Sequence, residues 1–188
     1  MTPVPRYLAT ALLAAAAAYA VAVAPPSIPA TRTPITVESV LAEMNRIRAA
    51  NGLAPFREDF RLRMAADDRM ADMIALAYWS HQSPDGQSPF VFVPLRGYRH
   101  RMLGENLASG FETAELLVQS WLESKGHREN LLTPEFADVG IAVIDGSTLK
   151  RAAGRSVVVI FGREIIAEPI RRRASTDRSP APIPPGRR

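Results

Sequence analysis

The chain has 188 residues, 47% of them hydrophobic, a formal net charge of +4 and no cysteine. That length and composition suffice for one hydrophobic core of ordinary domain size. The absence of cysteine excludes disulfides, a thiol nucleophile and a thiolate metal site, so the fold must be held by its core or by a bound ion.

The positive charge lies at the ends of the chain. Residues 169–188 contain six arginines against Asp177, a balance of +5, whereas residues 25–168 come to −2. A domain so close to neutral argues against nucleic-acid binding. Residues 169–188 are rich in proline and arginine and poor in apolar residues, which predicts a disordered basic tail. Such a tail suits electrostatic contact with anionic envelope components.

The N-terminus has the pattern of an export signal. Arg6 precedes an apolar run rich in alanine that extends to Ala24, and small residues suitable for cleavage occur near Ala20 and Ala22. We therefore expect a signal peptide over residues 1–22 and a secreted or periplasmic protein. An uncleaved membrane anchor is the alternative, because the run has about the minimum length that spans a bilayer. The four prolines that follow predict an extended linker over residues 23–35.

Four segments have helical periodicity within the predicted domain, residues 36–168. Thr36 is a candidate N-cap for a first helix that ends at Asn51-Gly52. Apolar residues at three- and four-residue intervals predict a second helix over residues 59–78. A short helix is expected within residues 89–95. Thr113 is a candidate cap for the third of the long helices, which ends around Gly126. This end places His127 just after a helix.

Two β-branched segments, residues 139–144 and 156–161, predict an antiparallel pair of strands joined by a loop with two glycines. A further strand is expected over residues 103–108. Helices around a small antiparallel sheet form an α+β layered domain. We find no glycine-rich phosphate loop, repeat or nucleic-acid motif.

Three residues are candidates for chemistry: His81, Glu105 and His127. Two imidazoles at loop–helix junctions can bind a divalent metal, with a carboxylate as orienting partner or general base. The spacing alone matches no local metal-ligand motif. It equally fits His81 as a turn residue, Glu105 as an exposed carboxylate at a strand end and His127 as a C-terminal helix cap.

Several short blocks, in this order, resemble the bacterial branch of the CAP superfamily, also called the SCP-like extracellular family: Trp79-Ser80-His81, Gly104-Glu105-Asn106-Leu107-Ala108 and Gly126-His127-Arg128-Glu129-Asn130-Leu131-Leu132. The resemblance implies a three-layer α-β-α sandwich with a central cleft. It assigns to the ligand cleft the residues His81, Glu105, Asn106, Ser124 and His127. Eukaryotic relatives have a second acid where this chain has Ser124, and bacterial members commonly show this serine. Glu123 is turned about 100° away on a helix and is a poor substitute.

Three functions compete. The first is a monomeric exported module that binds a lipid, glycan or peptide of the envelope, with or without a metal. The second is a hydrolase in which a metal on His81 and His127 activates water and Glu105 is the general base. Ser124 is a weaker catalytic candidate, because no histidine at a fixed local interval marks it as a nucleophile. The third is a structural surface protein with a vestigial cleft.

Zinc is the expected ion, with His81 and His127 as ligands, because imidazole nitrogens suit zinc better than calcium or magnesium. The affinity is expected to be modest, since two imidazoles supply half of a tetrahedral shell.

Overall fold

A computed structural model describes residues 33–145 and 154–165. The predicted signal peptide and tail, most of the predicted linker and the loop between the last two strands lie outside these ranges, so their boundaries stay predictions. The secondary-structure elements are α1 (Val37–Ala50), β1 (Arg57–Glu58), α2 (Phe60–Ala75), α3 (Phe92–Leu95), β2 (His100–Phe111), α4 (Ala114–Glu123), α5 (Lys125–Leu132), β3 (Asp138–Asp145) and β4 (Arg155–Glu164). None of the helices in these ranges combines the length and apolar character needed to cross a bilayer.

The strands form one sheet in the order β1-β3-β4-β2. β4 pairs antiparallel with both of its neighbours, as the β-branched segments predict for β3 and β4. The two-residue strand β1 was missed, and it runs parallel to β3, so the sheet is mixed rather than wholly antiparallel. A strand of two residues is too short to show periodicity in the sequence. It pairs because the connection between α1 and α2 passes the edge of the sheet.

Strand β4 separates two hydrophobic cores. Val157, Val159 and Phe161 pack on the face that α1, α4 and α5 cover, while Val158 and Ile160 pack toward α2 and α3. Successive side chains of a strand point to opposite faces, so a run of apolar residues indicates a strand buried on both sides. The protein is therefore a three-layer α-β-α sandwich, as predicted.

Capping residues explain where the helices begin. The Thr36 hydroxyl accepts a hydrogen bond from the Ser39 amide, and the Ser39 hydroxyl bonds back to the Thr36 amide. Asp59 caps α2, and Thr113 accepts from the Leu116 amide at the start of α4. These bonds satisfy backbone donors that have no partner within the helix, and the caps predicted at Thr36 and Thr113 are confirmed.

The third long helix, predicted from Thr113 to about Gly126, is in fact two helices. α4 ends at Glu123, and Ser124 has extended backbone angles, φ −90° and ψ 124°, before α5 begins at Lys125. His127 consequently lies in the first turn of a new helix, and both its placement after a helix end and the C-terminal cap interpretation are wrong. The sequence shows no break here, because serine interrupts a helix only weakly without tertiary contacts.

The sheet and α2 are in close backbone contact at Gly140 of β3. A Cβ atom at that position would lie 2.0 Å from the backbone carbon of Leu62. Only glycine allows this contact, because neither backbone can move without displacing a packed layer.

We predict that Gly140→Ala destabilises the fold by about 3 kcal/mol, since overpacking against backbone forces a shift of α2. Gly126→Ala is the matched control: a Cβ there meets nothing within 4 Å, and the residue lies inside α5. The control should gain about 0.5 kcal/mol from its reduced unfolded-state entropy. Urea denaturation followed by circular dichroism measures both. Equal stability of the two variants would contradict the close approach.

Candidate functional site

A cleft of about 550 Å³ opens beside the edge strand β2. The loop after α2 forms one wall and the α4–α5 junction forms the other. The lining residues are His81, Pro89, Phe90, Glu105, Ser124, Gly126, His127, Glu129 and Asn130. The structure therefore brings four of the five residues predicted for the ligand cleft together and leaves Asn106 out of the lining.

The two histidines face each other across the cleft. Their ring centroids are 6.1 Å apart and their ring planes are inclined by 57°. The side chain of His81, in the loop after α2, is 55% exposed, whereas His127 in α5 is half-buried. They come from opposite helical layers, so the sandwich itself brings them together.

Glu105 is buried behind His81, with its side chain 2% exposed. Its Oε1 lies 2.7 Å from Nδ1 of His81, and its Oε2 accepts a hydrogen bond of 3.0 Å from Nε of Arg69. A carboxylate paired with Nδ1 favours the imidazole tautomer that carries its proton there. The Nε2 atom of His81 is then the ring nitrogen available to a ligand, and Glu105 acts as an orienting group.

Asn106 is fully buried and lies behind the cleft, which corrects its predicted place in the lining. Its Nδ2 donates to the His127 carbonyl at 3.1 Å, and its Oδ1 accepts from Nδ2 of Asn130 at 2.9 Å. Asn130 also donates to the Glu105 carbonyl at 3.2 Å. Gly104 leaves the room for this contact, since a Cβ there would lie 2.7 Å from Oδ1 of Asn130. These bonds fasten α5, and with it His127, to β2.

Ser124 lines the cleft at the junction of α4 and α5. It is half-buried, and its carbonyl accepts the first helical hydrogen bond of α5, from the Arg128 amide at 2.9 Å. Its side chain makes no capping bond to the helix. Ser124 thus shapes the bend that places Gly126 and His127 at the cleft.

The two imidazoles differ electrostatically. The hydrogen bond to Glu105 raises the pKa of His81, and the charge of Glu105 adds to this effect. Burial lowers the pKa of His127, and the neighbouring His81 lowers it further. Over the pH range between the two values, the cleft therefore holds one cationic and one neutral imidazole.

Arg69 contacts the site and was not singled out from the sequence. It lies on the buried face of α2 and is 1% exposed. Besides Glu105 it contacts the Tyr78 hydroxyl, which in turn donates to Asp72, and the Ser80 carbonyl. A signal was present, because Arg69 interrupts the apolar stripe of α2 formed by Leu62, Ala65, Ala66 and Met73. A charge on such a stripe requires a buried partner.

The cleft contains two candidate donors for a zinc ion, the imidazoles of His81 and His127. Within the described parts of the chain no three or more histidine, cysteine, aspartate or glutamate side chains are grouped as a metal cage requires. The two imidazoles at the cleft are suitable zinc ligands, and Glu105 orients one of them in the manner of a carboxylate behind a metal-bound histidine. An ion bound at the cleft would be held by His81 and His127, and water or ligand would complete its shell.

These features define a small α-β-α domain that presents two imidazoles and a buried carboxylate in one open cleft. Residues 41–161 match CAP, the Cysteine-rich secretory protein family. The chain belongs to this family, as the sequence blocks predict.

Relatives and solved structures agree with the assignment. The Bacillus subtilis protein YkwD is 34% identical over 112 residues, which are 60% of this chain and 44% of YkwD. The crystal structure of an extracellular protein containing an SCP domain from Bacillus anthracis has a TM-score of 0.57 and 26% identity, over 68% of this chain and 40% of that one. An outer surface protein from Borrelia burgdorferi shares the fold, with a TM-score of 0.60 and 20% identity over 70% of this chain and 98% of its own. The chain thus spans less than half the length of YkwD.

We predict that Glu105→Gln moves the pKa of His81 down toward its ordinary value, because a neutral amide no longer stabilises the imidazolium ion. Glu129→Gln is the matched control, since Glu129 lines the same cleft and is exposed. NMR titration of the imidazole ring protons measures both variants. An unchanged His81 titration in Glu105→Gln would contradict the pairing.

The shifted pKa values of His81 and His127 make the stability of the fold depend on pH. The pKa of His81 is raised on folding, so its contribution is complete below the ordinary value of 6.5 and is lost as pH rises through the folded-state pKa. The contribution of His127 has the opposite sign: it is present above 6.5 and is lost as pH falls through its lowered pKa. Glu105→Gln should remove the first dependence, which urea denaturation at several pH values would detect.

Proposed function

We propose that this CAP domain is an exported binding module whose cleft receives a lipid, glycan or peptide of the cell envelope. The observation that carries this proposal is the state of Glu105. It is buried, and each of its carboxylate oxygens already has a partner, Arg69 or His81. A carboxylate that is 2% exposed and has a partner on each oxygen holds the imidazole in place and is poorly accessible to a water that it would have to deprotonate.

The hydrolase alternative has less support. A general base must reach the water it deprotonates, and catalytic zinc sites usually have three protein ligands and an open position. Here two imidazoles are available, and Glu105 is engaged on both oxygens. The vestigial alternative is disfavoured because Arg69, Glu105 and His81 form one continuous bonded chain that ends at the cleft, which packing alone does not require.

The lining suits an amphipathic ligand. Pro89 and Phe90 supply apolar surface on one wall, and the imidazoles, Ser124 and Asn130 supply polar groups around it. Sites of this kind use apolar contact for affinity and a few polar groups for orientation. Lipids, glycans and short peptides all combine the two characters.

Export is supported by two observations. The apolar run before Ala24 has the pattern of a signal peptide. In addition, the Bacillus anthracis structure similar to this chain is described as an extracellular protein. The ligand would then be a component of the envelope or its surroundings.

Blocking the cleft tests the binding function. Gly126→Phe places a ring at the cleft, while Gly126→Ala adds a methyl group into open space. The purified chain would be incubated with envelope extract, and retained compounds would be identified by mass spectrometry. We expect the wild type and Gly126→Ala to retain the same compounds and Gly126→Phe to lose them, with circular dichroism confirming its fold. Retention by Gly126→Phe would contradict binding in this cleft, and no retention by the wild type would favour a vestigial one.

Zinc binding is a separate part of the proposal. We expect calorimetric titration of the wild type at neutral pH to show saturable binding of modest affinity, lost in His81→Ala and in His127→Ala. His100→Ala is the control, because this third histidine lies at the start of β2 outside the lining. Binding should weaken as pH falls through the histidine range, since protonated imidazole cannot ligate. If the wild type gives no saturable heat, the cleft works by hydrogen bonding and apolar contact alone.

A further inference from the structure

The buried guanidinium of Arg69 does not line the cleft but bonds to Glu105, which does. We propose that Arg69 is the positioning residue of the site: it holds His81 through the Glu105 carboxylate and through the backbone of Ser80. This role of Arg69 rests on the proposed function in one respect, that His81 contacts the ligand. The bonded arrangement of Arg69, Glu105 and His81 is present without a ligand.

The first connection passes through a carboxylate. Nε of Arg69 donates to Oε2 of Glu105 at 3.0 Å, and Oε1 of Glu105 lies 2.7 Å from Nδ1 of His81. Both Arg69 and Glu105 are buried, where an ionised carboxylate persists only beside a cation. Arg69 therefore keeps Glu105 an acceptor, and an acceptor at Nδ1 keeps the proton of the neutral ring on that atom.

The second connection passes through the chain. Nη2 of Arg69 donates to the carbonyl of Ser80, the residue before His81, and Nη1 contacts the Tyr78 hydroxyl. The loop turns back onto α2 at Ala77, whose φ of 53° is left-handed. A non-glycine residue in that conformation is strained, and the bonds that Arg69 makes to the following residues offset this strain.

Arginine has the shape that these contacts require. Its planar guanidinium directs donors to a carboxylate, a hydroxyl and a carbonyl at fixed angles, whereas a lysine ammonium is a single compact charge. A lysine at position 69 could remain beside Glu105 but could not hold Ser80 as well. Arg69→Lys therefore retains the positive charge and removes the bond to the Ser80 carbonyl.

The chain also contains a matched control. Arg48 is equally buried, at 1% exposure, but its guanidinium donates to the carbonyls of Ala54, Leu131, Thr133 and Phe136. It fastens the end of α5 and makes no bond to His81 or Glu105. Arg48→Lys should cost stability in the same way as Arg69→Lys and leave His81 unaffected.

The experiment observes the imidazole of the whole ¹⁵N-labelled chain by long-range ¹H–¹⁵N correlation, at a pH above the titration of both cleft histidines and without metal. We expect the wild type and Arg48→Lys to show His81 with its proton on Nδ1. In Arg69→Lys the Glu105 carboxylate keeps a cation beside it but the Ser80 carbonyl is released, so His81 should leave Glu105 and show the mixture of both tautomers that is typical of a solvated ring. Tyr78→Phe, which keeps the guanidinium and removes one of its partners, should show a smaller shift in the same direction.

Retention of the Nδ1 tautomer in a folded Arg69→Lys variant would overturn the proposal. If Arg69→Lys does not fold, Tyr78→Phe decides: a shift toward the mixed tautomers supports the proposal, and a wild-type pattern overturns it. Zinc titration is a second readout, in which Arg69→Lys should bind about tenfold more weakly than Arg48→Lys. A wild type that binds no zinc would count against the proposed metal site, while the tautomer pattern would still decide the role of Arg69.

Discussion

A buried ion pair between Arg69 of α2 and Glu105 of β2 connects one helical layer to the edge strand of the sheet. Neither side chain could be buried alone, since a charge removed from water without a partner costs several kcal/mol. The pair also brings the loop that carries His81 to the sheet, because both residues bond to it. Loss of either partner of such a pair costs about 3–5 kcal/mol, mainly through the charge left behind.

The outer edge of β2 bonds to side chains instead of to another strand, and this arrangement leaves room for the cleft. The Leu107 carbonyl accepts from Nε1 of Trp121, and the Glu105 carbonyl accepts from Nδ2 of Asn130. The unpaired backbone groups of an edge strand can pair with other chains. The two bonds described above satisfy some of these groups in β2. They also place α4 and α5 against β2, so one wall of the cleft is built by the groups that protect the edge.

The two walls give the cleft an internal asymmetry. The hydrogen bond to the buried Glu105 carboxylate raises the pKa of His81, whereas burial lowers the pKa of His127. The cleft can therefore offer a cationic donor on one side and a neutral nitrogen on the other. Such a pair can donate a hydrogen bond to a polar group from one side of the cleft and accept one from the other side.

Local signals in the sequence were sufficient for most of the helices and strands and for most of the cleft. Caps such as Thr36 and Thr113 act within three residues, and the β-branched segments mark strands buried on both faces. The family-like blocks placed His81, Glu105, Ser124 and His127 in one site, and the structure brings these four together.

Tertiary structure decided the features whose partners are distant in the chain. Arg69 and Glu105 are 36 positions apart, and Asn106 is buried because Asn130, 24 positions later, packs against it. The break at Ser124 and the parallel pairing of β1 likewise depend on how helices and sheet pack. From the sequence alone, Arg69 was only a charge on an apolar helix face. Its contacts follow from the fold, because the Glu105 carboxylate of β2 and two acceptors of the loop after α2 meet at one guanidinium only after the layers have packed.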